Sequence, residues 1–158
     1  MTDECAIILR RLMALCSRSE KCEYDASEYM LSHGATQEQA DIAVEYLVAN
    51  NFIDNARYAD AFAADKFKFS RWGAHKIATA LKRKRIPGDL IAAALDKAID
   101  PESEKQTVEY EMAKKLRGFN GDTHQQAWQK LMRFGASRGY RPQLCNEIIG
   151  RLLSQGRG

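Results

Sequence analysis

Apolar residues along this chain recur at the spacing of helices rather than strands. Ala40, Ala43, Val44 and Leu47 fall on one helical face, and similar stripes recur along most of the sequence. Valine is found only three times, and no run alternates apolar and polar residues as a half-buried strand does. The pattern predicts an all-α protein with about nine helices of roughly 10–17 residues.

Capping residues divide this pattern into segments. Thr36 with Gln39 and Thr123 with Gln126 match the capping box, in which the two side chains bond each other's backbone N–H groups. The predicted starts are Thr36, Asp54, Ser70, Pro87 as a first helical residue, Asp100–Pro101, Thr123 and Pro142. The predicted ends and breaks are Asn50–Asn51, Gly118, Gly121 and Gly139.

The chain also repeats itself at a period near 50 residues. A shift of 51 positions superimposes Met30 on Leu81 and Ala35 on Ile86, and a further shift of 54 superimposes Ile86 on Tyr140. Each unit contains two helices, a tight turn and a third helix. We therefore predict three tandem three-helix repeats, over residues 1–53, 54–99 and 100–158, that form an elongated, curved array.

Charge is distributed in bands. Residues 1–65 carry five basic and twelve acidic groups, residues 66–88 eight basic groups and no acid, residues 89–113 two basic and seven acidic, and residues 114–158 nine basic and two acidic. The net charge of +3 conceals this alternation. Such banding indicates separate acidic and basic faces that suit a polyanion or a charge-patterned partner.

The strongest basic band falls on a predicted helix. Lys76, Thr79 and Arg83 lie along one stripe, and Ile77 and Leu81 along another. The apolar stripe is expected to pack inward and the basic one to face outward, with four cations, residues 82–85, at the helix end. The neighbouring aromatic residues, which are Phe67, Phe69 and Trp72, fit either base stacking beside phosphate contacts or a place in the core.

Residue types with catalytic or metal-binding chemistry form no recognisable set. The phosphate-binding, nucleophile-elbow and zinc-protease motifs are absent, and Asp54, Asp60 and Asp65 are spaced around their helix. The four cysteines form no C-x-x-C pair and are expected to be reduced and buried. We predict no enzymatic activity, no metal and no cofactor. The chain has no signal peptide or membrane-spanning stretch, which predicts a cytoplasmic protein that does not bind membranes.

An ordered series of elements resembles the signature of the RecX family. That signature is roughly aromatic-Leu-Asp-Asp-x-Arg-aromatic-Ala, then Lys/Arg-x-Gly, a basic amphipathic helix and a Gly-Ile/Val turn. The matching positions here are 52–59, Phe62, Trp72–Gly73, Ile77, Leu81, Ile86, Ile91, 131–134 and 138–140. The resemblance runs from about Ser19 to Leu153. Asn55 departs from the signature where an acid is usual, with small expected effect because Asp54 keeps the cap. Arg85 replaces a glycine and leaves the turn conformation in question.

The resemblance implies three helical repeats that bind the groove of the RecA–DNA filament and inhibit the ATPase, strand-exchange and coprotease activities of RecA. Recombination, DNA repair and the SOS response would be affected. The partner is then the RecA filament, with single- or double-stranded DNA as a further contact, and the chain is expected to be a monomer. Charge and repeat position predict contacts at Arg71, Trp72, Lys76, Lys82, Arg83, Lys84 and Arg85, with a second patch at Lys114, Lys115, Arg133, Arg138 and Arg141.

Two other functions stay open at this point. A DNA-binding regulator of helix-turn-helix type would read base edges in the major groove. A helical adaptor would bind only protein and never touch nucleic acid.

The repeat prediction can be tested by small-angle X-ray scattering. A compact globule of this length has a radius of gyration of about 15 Å. An array of three modules should give a larger value, with a circular dichroism spectrum dominated by helix. A radius near that of the globule would contradict the array.

Overall fold

The structure, a computed structural model, describes residues 2–155. This range contains nine α-helices and no strand, which confirms the all-α prediction. The helices are α1 (Asp3–Cys16), α2 (Glu23–Ser32), α3 (Gln37–Ala49), α4 (Asn55–Lys68), α5 (Ala74–Arg83), α6 (Gly88–Ala98), α7 (Pro101–Arg117), α8 (His124–Arg138) and α9 (Pro142–Gln155). None of these helices is long and apolar enough to cross a membrane.

Most of the predicted caps are present. Thr36 and Thr123 each form a complete capping box, and the Asp100 side chain accepts a hydrogen bond from the Ser103 N–H ahead of Pro101. Two starts were misplaced. Helix α5 begins at Ala74 rather than just after Ser70, and α6 begins at Gly88, so Pro87 precedes the helix instead of opening it.

Two clusters of buried side chains form separate cores. One is built by α1, α2 and α3 around Leu12, Met30 and Leu47. The other is built by α7, α8 and α9 around Met112, Leu131 and Ile149. On α5, Ile77 and Leu81 are fully buried, which confirms the predicted apolar stripe.

By its contacts the chain divides into two compact units, Met1–Phe62 with Leu81–Ala94 and Ala63–Ala80 with Leu95–Gly158. This division cuts α4, α5 and α6, not the loops between helices. The repeat limits 1–53, 54–99 and 100–158 stay a prediction, and residues 156–158 lie outside the described part of the chain.

The same turn follows the second helix of each predicted repeat. Its first residue has a left-handed backbone, at Gly34 (φ 106°), Arg85 (φ 60°) and Gly139 (φ 82°). The next N–H bonds the carbonyl five residues earlier: Ala35 to Met30 (3.0 Å), Ile86 to Leu81 (3.2 Å) and Tyr140 to Gly135 (2.9 Å). This is the Schellman arrangement. The equivalence of these positions agrees with the repeat offsets found in the sequence.

Arg85 is strained at this turn because its Cβ disfavours positive φ by about 1–2 kcal/mol. Arg85→Gly should therefore have a free energy of unfolding about 1 kcal/mol above that of Arg85→Ala, because both lose the side chain but only glycine removes the strain. Urea unfolding measures the difference.

Lys82, on the exposed side of α5, supplies the control. There the backbone is helical, so the order reverses and Lys82→Gly should be less stable than Lys82→Ala by about 1 kcal/mol. If glycine is the less stable residue at both positions, the strain at Arg85 is not significant.

Candidate partner interface

The exposed end of α5 carries two of the predicted contact residues. Lys82 and Arg83 point to solvent, one turn beyond the buried Ile77 and near Leu81. In the described part of the chain neither of these two cations makes a side-chain hydrogen bond or ion pair. Their charge is therefore available to a partner.

The next two cations of the run pack against the start of α2. The Lys84 ammonium donates to Asp25 Oδ1 at 2.6 Å, and this hydrogen bond raises the pKa of Lys84. The Arg85 guanidinium lies over the ring of Tyr24, 5.2 Å from its centroid. Lys84 and Arg85 thus hold their turn against the first turn of α2.

The start of α4 meets the same segment. The Asn55 amide donates to Glu23 Oε2 (2.6 Å) while its oxygen accepts from the Glu23 N–H (3.0 Å), and Arg57 Nε donates to Glu20 Oε2 (2.8 Å). Asn55 thus has partners beyond the helix cap, and an acid there would face the Glu23 carboxylate, although the size of its effect stays a prediction. We call this contact of residues 20–25 with residues 55–57 and 84–85 the first junction.

A second junction joins residues 70–76 to residues 110–111 and 138–140. The Gly73 N–H donates to the Arg138 carbonyl (2.6 Å) and the His75 N–H to the Gly139 carbonyl (3.0 Å). A Cβ on Gly73 would overlap the Gly139 carbonyl, and one on Gly139 would overlap the Lys76 backbone. Only glycine permits this approach of the two main chains.

Side chains complete the second junction. The Tyr140 hydroxyl donates to the Arg71 carbonyl (2.7 Å), and burial raises the pKa of Tyr140 to about 12, so this donor keeps its proton. Arg71 Nε lies 3.2 Å from Glu111 Oε1, whose side chain is only 7% exposed, and the Arg71 guanidinium stacks 5.0 Å from the Tyr110 ring centroid. Arg71 therefore compensates a buried carboxylate.

The aromatic residues beside the basic band have different environments. Phe67 is buried and belongs to the core. Trp72 is half-buried, with the ammonium groups of Lys66 and Lys76 at 5.0 and 4.4 Å from its ring centroid. Phe69 is 71% exposed. Sequence reasoning left core and contact roles open for all three, and only Trp72 and Phe69 present surface to a partner.

The predicted second patch is divided in the same way. The Lys115 ammonium and the Arg138 guanidinium both lie over the Phe134 ring, at 5.4 and 5.0 Å from its centroid. Arg141 forms a bidentate ion pair with Glu104. The two remaining members of the patch, Lys114 and Arg133, are exposed and make no ion pair within residues 2–155.

One ion pair of each junction, Glu20–Arg57 in the first and Arg71–Glu111 in the second, occupies equivalent positions with opposite polarity. The repeat offset of 51 carries Glu20 to Arg71, and the offset of 54 carries Arg57 to Glu111. In the first junction the segment before α2 supplies the acid, Glu20, and α4 supplies the base, Arg57. In the second junction the segment before α5 supplies the base, Arg71, and α7 supplies the acid, Glu111. Sequence reasoning missed these pairs, although the offsets that align the apolar residues would have aligned the charges too.

No group of three or more metal-ligating side chains occurs within the described residues, and Asp54 instead accepts from the Arg57 N–H (3.0 Å) as a cap. The four cysteines are free and buried. Burial raises the pKa of Cys22 and of Cys145 to about 11, which keeps both thiols protonated at neutral pH.

The ion pairs Glu20–Arg57 and Arg71–Glu111 differ in burial, so their removal should lower the free energy of unfolding by different amounts. Arg71→Ala leaves the buried Glu111 carboxylate without its partner and should cost about 1–3 kcal/mol of unfolding free energy. Glu20→Ala, at the equivalent position, leaves Arg57, which is 45% exposed, and should cost less than about 1 kcal/mol. Equal losses in chemical denaturation would contradict a structural role for Arg71.

Comparison with known proteins supplies the remaining evidence. A family model described as "RecX, second three-helix domain" matches residues 54–95. The regulatory protein RecX of Clostridium botulinum (strain Alaska E43) is 31% identical over 154 residues, which cover 94% of this chain and 71% of that protein. Regulatory protein RecX of Clostridium perfringens (strain SM101) is 30% identical over 141 residues, and the chain spans 64% of its length.

Two solved structures share the fold. The crystal structure of RecX from Lactobacillus salivarius aligns with a TM-score of 0.81 at 15% identity and covers 96% of this chain and 98% of that one. A second crystal structure of regulatory protein RecX aligns with a TM-score of 0.83 at 19% identity and covers 92% and 71% of the two chains. With the family match and the sequence identities, these similarities show that the chain belongs to the RecX family of regulatory proteins.

Proposed function

We propose that this protein is a negative regulator of RecA. It binds the RecA–DNA filament and inhibits the ATPase, strand-exchange and coprotease activities of RecA, and so affects recombination, DNA repair and the SOS response. It acts as a cytoplasmic monomer and has no catalytic activity of its own. The membership of the RecX family is the observation that carries this proposal.

The exposed cations support a charged partner. Lys82 and Arg83 project from α5, and Lys114 and Arg133 from α7 and α8, and the described structure uses none of these four side chains in an ion pair. Acidic protein surface and DNA phosphates both attract such groups. Separate weak contacts on one chain reinforce each other when they engage a repetitive filament.

The predicted cationic contact residues accordingly fall into three classes. Lys82, Arg83, Lys114 and Arg133 are candidates for direct contact. The side chains of Arg71, Lys84, Arg85 and Arg141 bind other parts of the chain and contribute by holding the surface in shape. Lys76, Lys115 and Arg138 lie over aromatic rings, where a cation can still meet a partner from its outer side.

Direct DNA contact is a second component of the proposal. Phe69 is exposed beside Lys68, whose ammonium lies 5.3 Å from its ring centroid, and Trp72 is flanked by Lys66 and Lys76. Exposed rings among cations suit stacking on unpaired bases. This arrangement favours single-stranded DNA over sequence-specific reading of a duplex.

A pull-down with three baits separates the candidate functions. RecA-coated single-stranded DNA should retain the protein strongly, and bare single-stranded DNA weakly with a steep dependence on salt. A helix-turn-helix regulator would instead prefer a specific duplex. A protein-only adaptor would bind RecA with no contribution from DNA.

Charge reversal on α5 tests the proposed contact. Lys82→Glu/Arg83→Glu should raise the concentration needed to inhibit the DNA-dependent ATPase of RecA by roughly tenfold, because two attractive surface contacts become repulsive. Lys84 is left intact because its bond to Asp25 maintains the first junction. Thermal melts of the variant show whether the helix end tolerates the acids.

The matched control is Arg10→Glu/Arg11→Glu, which makes the same change in charge at two exposed positions of α1. This control should inhibit like the wild-type protein. If both variants lose inhibition equally, the effect is one of net charge. If neither loses it, Lys82 and Arg83 are not part of the interface.

A further inference from the structure

A groove on the first compact unit is unlike the basic surfaces described above. It has a volume of about 820 Å³ and is lined by one face of α2 and one face of α3. Leu31, Val44 and Val48 contribute apolar surface, and Val48 is 42% exposed although it belongs to a well-packed helix. Water-exposed apolar surface of this kind is typical of a binding groove.

Acidic side chains border the apolar surface. Glu28 on α2 and Asp41 and Glu45 on α3 all line the groove and are exposed. Glu28 and Glu45 have no ion-pair partner within residues 2–155, and the Asp41 carboxylate accepts only from a neutral amide, Gln37 Nε2, at 2.8 Å. The rim therefore carries negative charge that the fold does not neutralise.

The spacing of these residues matches that of a helix-binding surface. Asp41, Val44, Glu45 and Val48 follow one another at i, i+3, i+4 and i+7, so apolar and acidic groups form adjacent rows along α3. The lining part of α3 is about 18 Å long at 1.5 Å per residue, enough for about three turns of a bound helix. Helix-in-groove recognition uses apolar anchors at this periodicity.

One end of the groove has the opposite charge. Lys84 and Arg85 line it there, beside Tyr24. The carbonyl end of a helix carries partial negative charge and is stabilised by nearby cations. A bound helix would therefore lie with its C-terminal end at Arg85 and its cationic side chains along the acidic rim.

We propose that this groove binds a cationic amphipathic helix of a partner protein, independently of the basic surface of α5. Leucine-like anchors of the partner would cover Leu31, Val44 and Val48, and its lysine or arginine side chains would pair with Glu28 and Glu45. Helix α5 of a folded second copy is a poor source of such a helix. The basic helix α5 has Ile77 and Leu81 fully buried and has no apolar stripe to offer.

The test uses the full chain and a synthetic helical peptide of about 14 residues, with leucines at i, i+3, i+4 and i+7 flanked by lysines. Isothermal titration calorimetry should give a micromolar Kd for this peptide. A peptide of the same composition with its leucines distributed around the helix should bind at least tenfold more weakly, as should a version with glutamate in place of lysine. Equal binding of the scrambled peptide would reduce the effect to diffuse charge attraction and overturn the proposal.

Variants locate the binding site. Glu28→Lys/Glu45→Lys should raise the Kd for the peptide by roughly tenfold, since attraction at two positions becomes repulsion. Asp96→Lys/Glu147→Lys, with the same change in charge at exposed positions outside the groove, should change the Kd less than about twofold. Val48→Ala removes apolar surface from the groove without a change in charge and should also weaken binding of the peptide.

Three results would overturn the proposal. The first is no measurable binding of the leucine–lysine peptide. The second is equal loss of affinity in the groove and control variants. The third is a wild-type dimer in analytical ultracentrifugation that Glu28→Lys/Glu45→Lys dissociates, because the groove would then bind a second copy. Inhibition of RecA by the groove variant is measured alongside, so that failure of this site is distinguished from failure of the α5 surface.

Discussion

The close approach of the main chains at Gly73 and Gly139 is the constraint on which the second unit depends. Gly139 ends α8 in a left-handed conformation that suits glycine. Its missing Cβ also leaves room for the backbone of Lys76, and the missing Cβ of Gly73 leaves room for the Gly139 carbonyl. Because hydrogen bonds to residues 138 and 139 tie down residues 73–75, they fix where α5 begins.

At the first junction the equivalent contact forms without glycine. Cys22 and Arg85 stand at the positions equivalent to Gly73 and Gly139. With a Cβ on each residue, the contact is held by side chains instead, through Lys84 with Asp25, Arg85 with Tyr24 and Asn55 with Glu23. Part of the basic band is thereby used for folding. A band of like charge in a sequence thus contains two populations, and only its contacts reveal which cations remain for a partner.

How much could be predicted from the sequence depends on how local each signal is. The capping boxes at Thr36 and Thr123 and the end of α8 at Gly139 were predictable because each is specified within a few residues. The start of α5 was not, because residues 70–73 are held by a contact with residues near 139. The buried partner of Arg71 lies 40 positions away at Glu111, and the ordinary pattern of a surface cation gave no sign of it. For the candidate site, the exposure of Lys82 and Arg83 followed from helical periodicity, whereas the roles of Lys84 and Arg85 required the fold.

The opposite polarity of the Glu20–Arg57 and Arg71–Glu111 ion pairs affects how a chain of repeats avoids assembling in the wrong order. Similar modules in tandem can exchange equivalent surfaces while they fold, which is a characteristic failure of repeat proteins. If residues 20–25 docked where residues 70–76 belong, Glu20 would meet the Glu111 carboxylate in a site with little water. The reverse exchange would set Arg71 against Arg57. The segment with Glu20 thus meets like charge at the docking site of Arg71 and opposite charge at its own, and the segment with Arg71 does the reverse, so these two ion pairs favour the correct order of the modules.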